Sequence, residues 1–226
     1  NPEIGSEYLP APTAVTNPKR VVIAGGGPAG MQAAYDAARR GHMVTLLEKS
    51  DSLGGHVMLQ AKLPGLEDRS DIIRWLELQL HKLDVDIRRN TEATPELIAE
   101  LGAEAVIVTT GALYARNGVS KNQLDGVAGS DLEHVLTPED VLLDHARTGN
   151  RVVVYDNTAY EVGPGIAELL ADQGKEVFFV TIDSGIAMSV SEIGINKVLT
   201  KRLLPKVTFL PHTAISKIGP ADAGQQ

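Results

Sequence analysis

The hexapeptide GGGPAG, Gly25 to Gly30, follows the apolar run VVIA and precedes the helical pattern MQAAYDAARRG. No other feature restricts the fold of this chain as tightly. Side chains are almost absent over one turn, and a proline stands where the first turn of a helix accepts it, so the pattern reads strand, sharp turn, helix. A second apolar run, MVTLLE at 43–48, completes a βαβ unit. The rhythm returns in RVVVYDNTAYEVGPGIAELLADQGKEVFFVT at 151–181, offset by 131 residues (20 to 151) when the leading strands are matched, but with the first glycines replaced.

The first loop satisfies G-x-G-x-x-G in the context that gives the pattern meaning. Gly25 permits the tight turn, Gly27 leaves room for a pyrophosphate against the backbone, and Gly30 lets helix and strand approach. Pro28 and Ala29 open the helix, whose exposed N–H groups favour an anion without a nearby Lys or Arg. Glu48, followed by Lys49, ends the next strand 23 residues after Gly25 (25 to 48), where its carboxylate accepts hydrogen bonds from ribose hydroxyls and repels a 2′-phosphate. FAD, NAD or ADP is therefore expected here rather than NADP. SLGGH at 52–56 supplies a second flexible stretch, with Gly55 and His56, and VIVTTGA at 106–112 is expected as a buried strand ending in Thr109, Thr110 and Gly111, small residues near the cofactor.

Further strands are expected at 105–109, 151–155, 176–181 and 207–210, alternating with helices. Over 70–83, Ile72, Ile73, Leu76, Leu80 and Leu83 share one helical face with Ser70 as cap, and Trp75 is expected in the core. Thr94 and Thr137 each precede Pro and an acid, which marks helix starts. The expected class is α/β: a Rossmann-like FAD/NAD(P)-binding fold with a parallel sheet and two βαβ nucleotide-binding-like units. An extended, proline-rich arm is expected over 1–18, a first domain over 19–148 and a second over 149–226. The arm reads as a segment that follows another domain, and the polar end ISKIGPADAGQQ as a cut or fray.

Composition excludes several functions. With 226 residues, 43% of them hydrophobic, the chain buries a core; its net charge of -8 argues against nucleic acid or an anionic membrane as partner. No apolar run approaches the ~20 residues of a membrane span, and a soluble, cytoplasmic protein is expected. There is no cysteine, so disulfides, thiolate-bound metals and thiol catalysis are absent from this sequence. The histidines at 42, 56, 81, 134, 145 and 212 show no metal-ligand spacing, and Ser184, Ser189 and Ser191 lack a nucleophile context. No catalytic residue and no metal ligand is assigned.

VVIAGGGPAG, TLLEKSDSLGGH, LPGLED and AVIVTTGA, in this order, resemble the nucleotide-binding C-terminal half of the trimethylamine dehydrogenase and 2,4-dienoyl-CoA reductase family of flavin oxidoreductases. NPEIGSE resembles the segment after that family's last iron–sulfur cysteine, while LTPEDVL, RVVVYDNTAY and GPGIAELLADQGKEV look closer to the amine dehydrogenase branch. The resemblance implies a TIM barrel with FMN and a four-iron cluster, neither in this sequence, joined to a region that holds FAD in the reductases and ADP in trimethylamine dehydrogenase. It implies nucleotide contacts at Gly25, Gly27 and Gly30, at Glu48, at Gly55 and His56, at Thr110 and Gly111, and through the backbone at Ala93. It also implies a later return of the chain to the first domain, beyond these residues, and an electron-transfer flavoprotein as acceptor.

The second loop departs from the first. Matching the leading strands sets Asp156, Thr158 and Glu161 against the three glycines; matching from the helix end keeps Gly163 and sets Thr158 and Tyr160 against the first two. In both registers the first two glycines are lost and the loop is longer. A carboxylate ~4 Å from a phosphate charge costs on the order of 4 kcal/mol at an effective dielectric near 20. Thr158 with Glu161 fits a capping box, and Pro164 suits a first turn. Thr181 stands where a ribose acid is needed, so NAD(P)H is not expected. The leading expectation is the FAD- or ADP-binding portion of a multi-domain flavin oxidoreductase. Its alternatives are an NAD(P)H-accepting dienoyl-CoA-reductase-like enzyme and a non-catalytic docking module with a structural nucleotide.

Overall fold

Short runs of β-branched and leucine residues form parallel strands, because the chain between them is long enough to cross back as helix. The computed structural model describes residue 5 and residues 13–120, 123–143 and 148–220. Most of the expected arm and His145 lie outside the described residues. The chain divides into two compact units, residues 1–58 with 68–112 and residues 59–67 with 113–226. The boundary read from sequence, at 149, falls inside the second of these.

The first unit contains β1 (Arg20–Ala24), α1 (Pro28–Arg39), β2 (Met43–Leu47), α3 (Ser70–Lys82), β3 (Asp86–Arg88), α4 (Pro95–Glu100) and β4 (Ala105–Val108), and α2 (His56–Gln60) begins in it. The strands form a parallel sheet in the order β3-β2-β1-β4. Ala24 is in register with Leu47 and with Val108, and Leu47 with Arg88, so the four strands end abreast. Ile23, Leu46, Met31, Leu76 and Leu80 are buried between the sheet and the helix pair α1 and α3.

The second unit contains α5 (Pro138–Leu142), β5 (Arg151–Asp156), α6 (Val162–Asp172), β6 (Glu176–Thr181), α7 (Ile195–Leu203) and β7 (Thr208–Leu210), with a parallel sheet in the order β5-β6-β7. Phe179 at its centre is fully buried among Leu63, Ile166, Leu170, Leu199 and Leu203. The architecture is α/β and Rossmann-like, with a βαβ opening in each unit.

Four local expectations change. The strand β4 is exposed rather than buried, with Val108 70% and Val106 44% accessible, because it is the edge of its sheet and no described strand lies beyond it. A continuous apolar run has the same sequence whether or not a neighbour covers it. Helix α3 continues from a 3-10 turn at Glu67–Arg69, so Arg69 rather than Ser70 is its N-cap, and no side chain caps it. On that helix Ile73, Leu76 and Leu80 are buried, whereas Ile72 and Trp75 lie on the exposed side. Trp75 packs edge-on against Tyr35 at 5.3 Å between ring centres, over which Arg39 lies. Finally, Thr158 and Glu161 form no capping box; α6 starts after Glu161 with no side-chain cap, and Pro164 falls in its first turn. The starts at Thr94 and Thr137 do form, the first by a bond from Leu97 N–H, the second as a full capping box with Asp140.

Candidate functional site

The even ends of β1 to β4 bring four loops to the carboxyl edge of one sheet, where the strand order reverses at β1. In open parallel sheets that position forms a crevice. The loops are Gly25–Gly30, Glu48–His56, the chain from 89 to 94, and Thr109–Gly111.

The glycines of the first loop differ in what the fold asks of them. Gly25 lies at φ +109°, and a Cβ there would sit 2.4 Å from the carbonyl oxygen of Thr109. A Cβ on Gly30 would fall 1.9 Å from the Gly25 oxygen and 2.6 Å from Thr109 Oγ1. Gly27 is different. Its backbone is extended, φ -71° and ψ 178°, which any residue adopts, and nothing lies within 4 Å of the position its Cβ would take. Neither conformation nor packing asks for glycine there, and the space beside its backbone is open. Gly27 is also the N-cap of α1, which has no side-chain cap and no acid in its first turn, with Pro28 at the start and Ala29 exposed. The uncapped amide end of a twelve-residue helix thus faces the open position.

Glu48 is 9% exposed, and its carboxylate holds the loop in place: Oε2 accepts the N–H of Gly26 at 2.7 Å and Oε1 that of Ser50 at 2.8 Å. Each oxygen retains a further lone pair for a ligand hydroxyl. Its backbone is committed as well, the N–H donating to Arg88 O and the oxygen accepting from Thr91 N–H, both at 2.9 Å. Gly54 N–H donates to Gly26 O at 2.8 Å, and Gly55 stands where a Cβ would be 3.6 Å from Gly27 Cα. The structure therefore brings Gly25 to Gly30, Glu48, Gly55 and, as the first residue of α2, His56 to one region. Lys49 is exposed beside Glu48. Ala93 lies between Thr91, bonded to Glu48, and Thr94, the cap of α4, on the neighbouring strand end. Thr110 and Gly111 are exposed, and Gly111 takes φ +74° with nothing within 4 Å of a Cβ.

Two residues take roles that the sequence pattern alone does not give. Thr109 Oγ1–H points at the oxygens of Ala24 and Gly25, 2.9 Å from each, and so fastens β4 to the loop. A Cβ on Gly26 would meet Leu53 Cδ2 at 2.6 Å, which makes Gly26 a packing glycine inside the motif. The signal for Thr109 was its place at the end of a strand beside β1; which of two adjacent threonines turns inward depends on register. Among the described residues no group of three or more His, Asp or Glu is arranged to hold a metal ion, and no helix is long and apolar enough to cross a membrane.

Comparison with known proteins agrees with this geometry. Residues 20–98 match the family model described as FAD dependent oxidoreductase. The chain is 37% identical over 81% of its length to an N,N-dimethylglycine/sarcosine dehydrogenase of Chromohalobacter salexigens, and 36% identical over 82% to a cinnamate reductase of Clostridium sporogenes. It covers 27% and 26% of those proteins, so it spans about a quarter of the curated relatives it matches. The solved 6-hydroxypseudooxynicotine amine oxidase of Pseudomonas geniculata N1 superposes with a TM-score of 0.91 at 30% identity, over 98% of this chain and 34% of that one.

Proposed function

We propose that this chain, which belongs to the flavin oxidoreductase family of the amine dehydrogenases and their reductase relatives, is the part of a larger enzyme that binds FAD or ADP through its first loop. The single observation that carries the proposal is Gly27. It is a glycine that the fold does not need, standing at the uncapped start of α1 with open space before it. The N–H groups of that turn hold the diphosphate, Glu48 accepts from the ribose, and Gly55 and His56 flank the phosphates or flavin. Ala93 offers backbone to adenine, and Thr110 and Gly111 line the far side. FAD held there supplies two-electron redox chemistry, while ADP supplies none. No residue of this chain is assigned a proton transfer.

The remaining machinery belongs to the whole protein: a TIM barrel carrying FMN, a four-iron cluster, amine oxidation, and electrons passed to an electron-transfer flavoprotein. Heat-denaturing the purified protein and identifying what it releases tests the reading. Flavin or ADP is expected, and release of neither, together with no saturable uptake of either, contradicts it. A second reading, reduction fed by NAD(P)H, draws support from the cinnamate reductase, which is nearly as similar as the dehydrogenase. Saturable NADH binding that is lost on substituting Thr158 or Tyr160 would favour it. Release of ADP without redox activity in the whole protein would favour a docking role.

A further inference from the structure

The second loop keeps the ends of the first and changes its middle. Asp156 closes β5 as Gly25 follows β1, and Gly163 lies in the first turn of α6 as Gly30 does in α1. In the first unit a Cβ on Gly30 would strike the Gly25 oxygen at 1.9 Å; in the second, a Cβ on Gly163 would strike Asp156 Cγ at 2.8 Å. The strand-end and helix-end alignments therefore hold together, and the two additional residues lie between them. In the first loop the space inside this turn is open beside Gly27. In the second it contains the Asp156 side chain, 4% exposed.

The loop is closed around that side chain in both hydrogen-bonding senses. Asp156 Oδ1 accepts the N–H of Thr158 at 3.0 Å, the N–H of Ala159 at 3.1 Å and the Thr158 hydroxyl at 2.9 Å. The carbonyls of the same two residues are also taken: Ala159 O accepts from Ser189 N–H at 2.9 Å and Thr158 O from Ser189 Oγ–H at 3.2 Å. Ala159, 2% exposed, reverses the chain at φ +58°, a left-handed conformation that residues other than glycine adopt at a cost. Burial holds the Asp156 carboxyl above the usual carboxylate range, the nearby Asp183 acts in the same sense, and the bonds from Thr158 and Ala159 oppose them.

We propose that the Asp156 side chain is the element that keeps the second unit closed to dinucleotides: it fills the turn that a diphosphate would need and engages the Thr158 and Ala159 amides. Charge and volume act together, so exclusion survives protonation of the carboxyl. The first loop and its nucleotide are not involved.

The test follows Thr158 and Ala159 amide signals by NMR in the full chain during titration with inorganic pyrophosphate. In the wild type both amides are expected to be protected from hydrogen exchange and unmoved by pyrophosphate. In Asp156→Gly, and in Asp156→Ser, which keeps a short hydroxyl acceptor for the turn, both are expected to shift saturably, with affinity at that loop raised about tenfold or more over the wild type. A folded variant whose Thr158 and Ala159 signals ignore pyrophosphate overturns the proposal. So does rapid exchange of these amides in the wild type, which needs no variant to fold. Signals from Gly26 to Gly30 report the first loop separately, so failure of the proposed nucleotide site leaves a different trace.

Discussion

A methyl group at Gly30 would fall 1.9 Å from the Gly25 oxygen, a backbone atom that no side-chain rotation can move away. The start of α1 or the end of β1 must shift, and the strand end is buried at this level: Ala24 is 4% exposed and Ile23 fully buried. Gly30→Ala is therefore expected to cost about 3 kcal/mol or more, seen as a lower midpoint in urea unfolding; an unchanged midpoint would contradict the packing role. Glu48 combines two tasks at the same scale. It holds the turn through Gly26 and Ser50 and keeps lone pairs for a ligand, so the residue proposed to recognise ribose is already fixed by the protein itself. The glycine pattern and this acid were legible in the sequence because their spacing is set by the geometry of one turn and one crossover. The bonds of Thr109 and of Asp156 were not, because they depend on which of several adjacent polar residues faces inward.

Between elements, the first unit is positioned by strand register and the second is clamped by charge. Glu168 on α6 is 3% exposed and accepts from Arg202 at 2.6 Å and Lys206 at 2.9 Å, and Lys206 also reaches Asp172 at 2.7 Å. This ties α6 to α7 and to the turn after it. Removing the carboxylate with Glu168→Ala leaves two cations facing a buried gap, and the loss is expected near 3 kcal/mol, since both cations are about a third exposed. Hydrogen bonds to Asp172 and then Glu168 raise the Lys206 pKa. A raised value means that this contribution is complete below the ordinary lysine range and fades as the pH climbs through the folded value. Thermal unfolding followed to alkaline pH should show a steeper decline in the wild type than in Glu168→Ala; parallel curves would argue against the clamp. The threonine caps at Thr94 and Thr137 could be read ahead because a cap needs only local spacing. The exposure of β4, Ile72 and Trp75 could not, because periodicity states which residues share a face and leaves open what covers it.

For the whole molecule, two βαβ openings on one chain carry opposite assignments. One turn is lined by bare backbone beside open space, and the other is filled by its own aspartate. The chain spans about a quarter of its curated relatives, and the substrate-binding and electron-accepting parts are proposed to lie in residues beyond these. What is proposed for the 226 residues is a nucleotide holder with a closed second unit. Gly27→Ala tests it most directly, because the fold leaves space for the methyl group and a bound diphosphate does not. Calorimetric titration with ADP, set beside thermal unfolding, should give wild-type stability to within about 2 °C and at least roughly tenfold weaker ADP binding. Equal affinity in the two proteins, with both folded, would contradict the account.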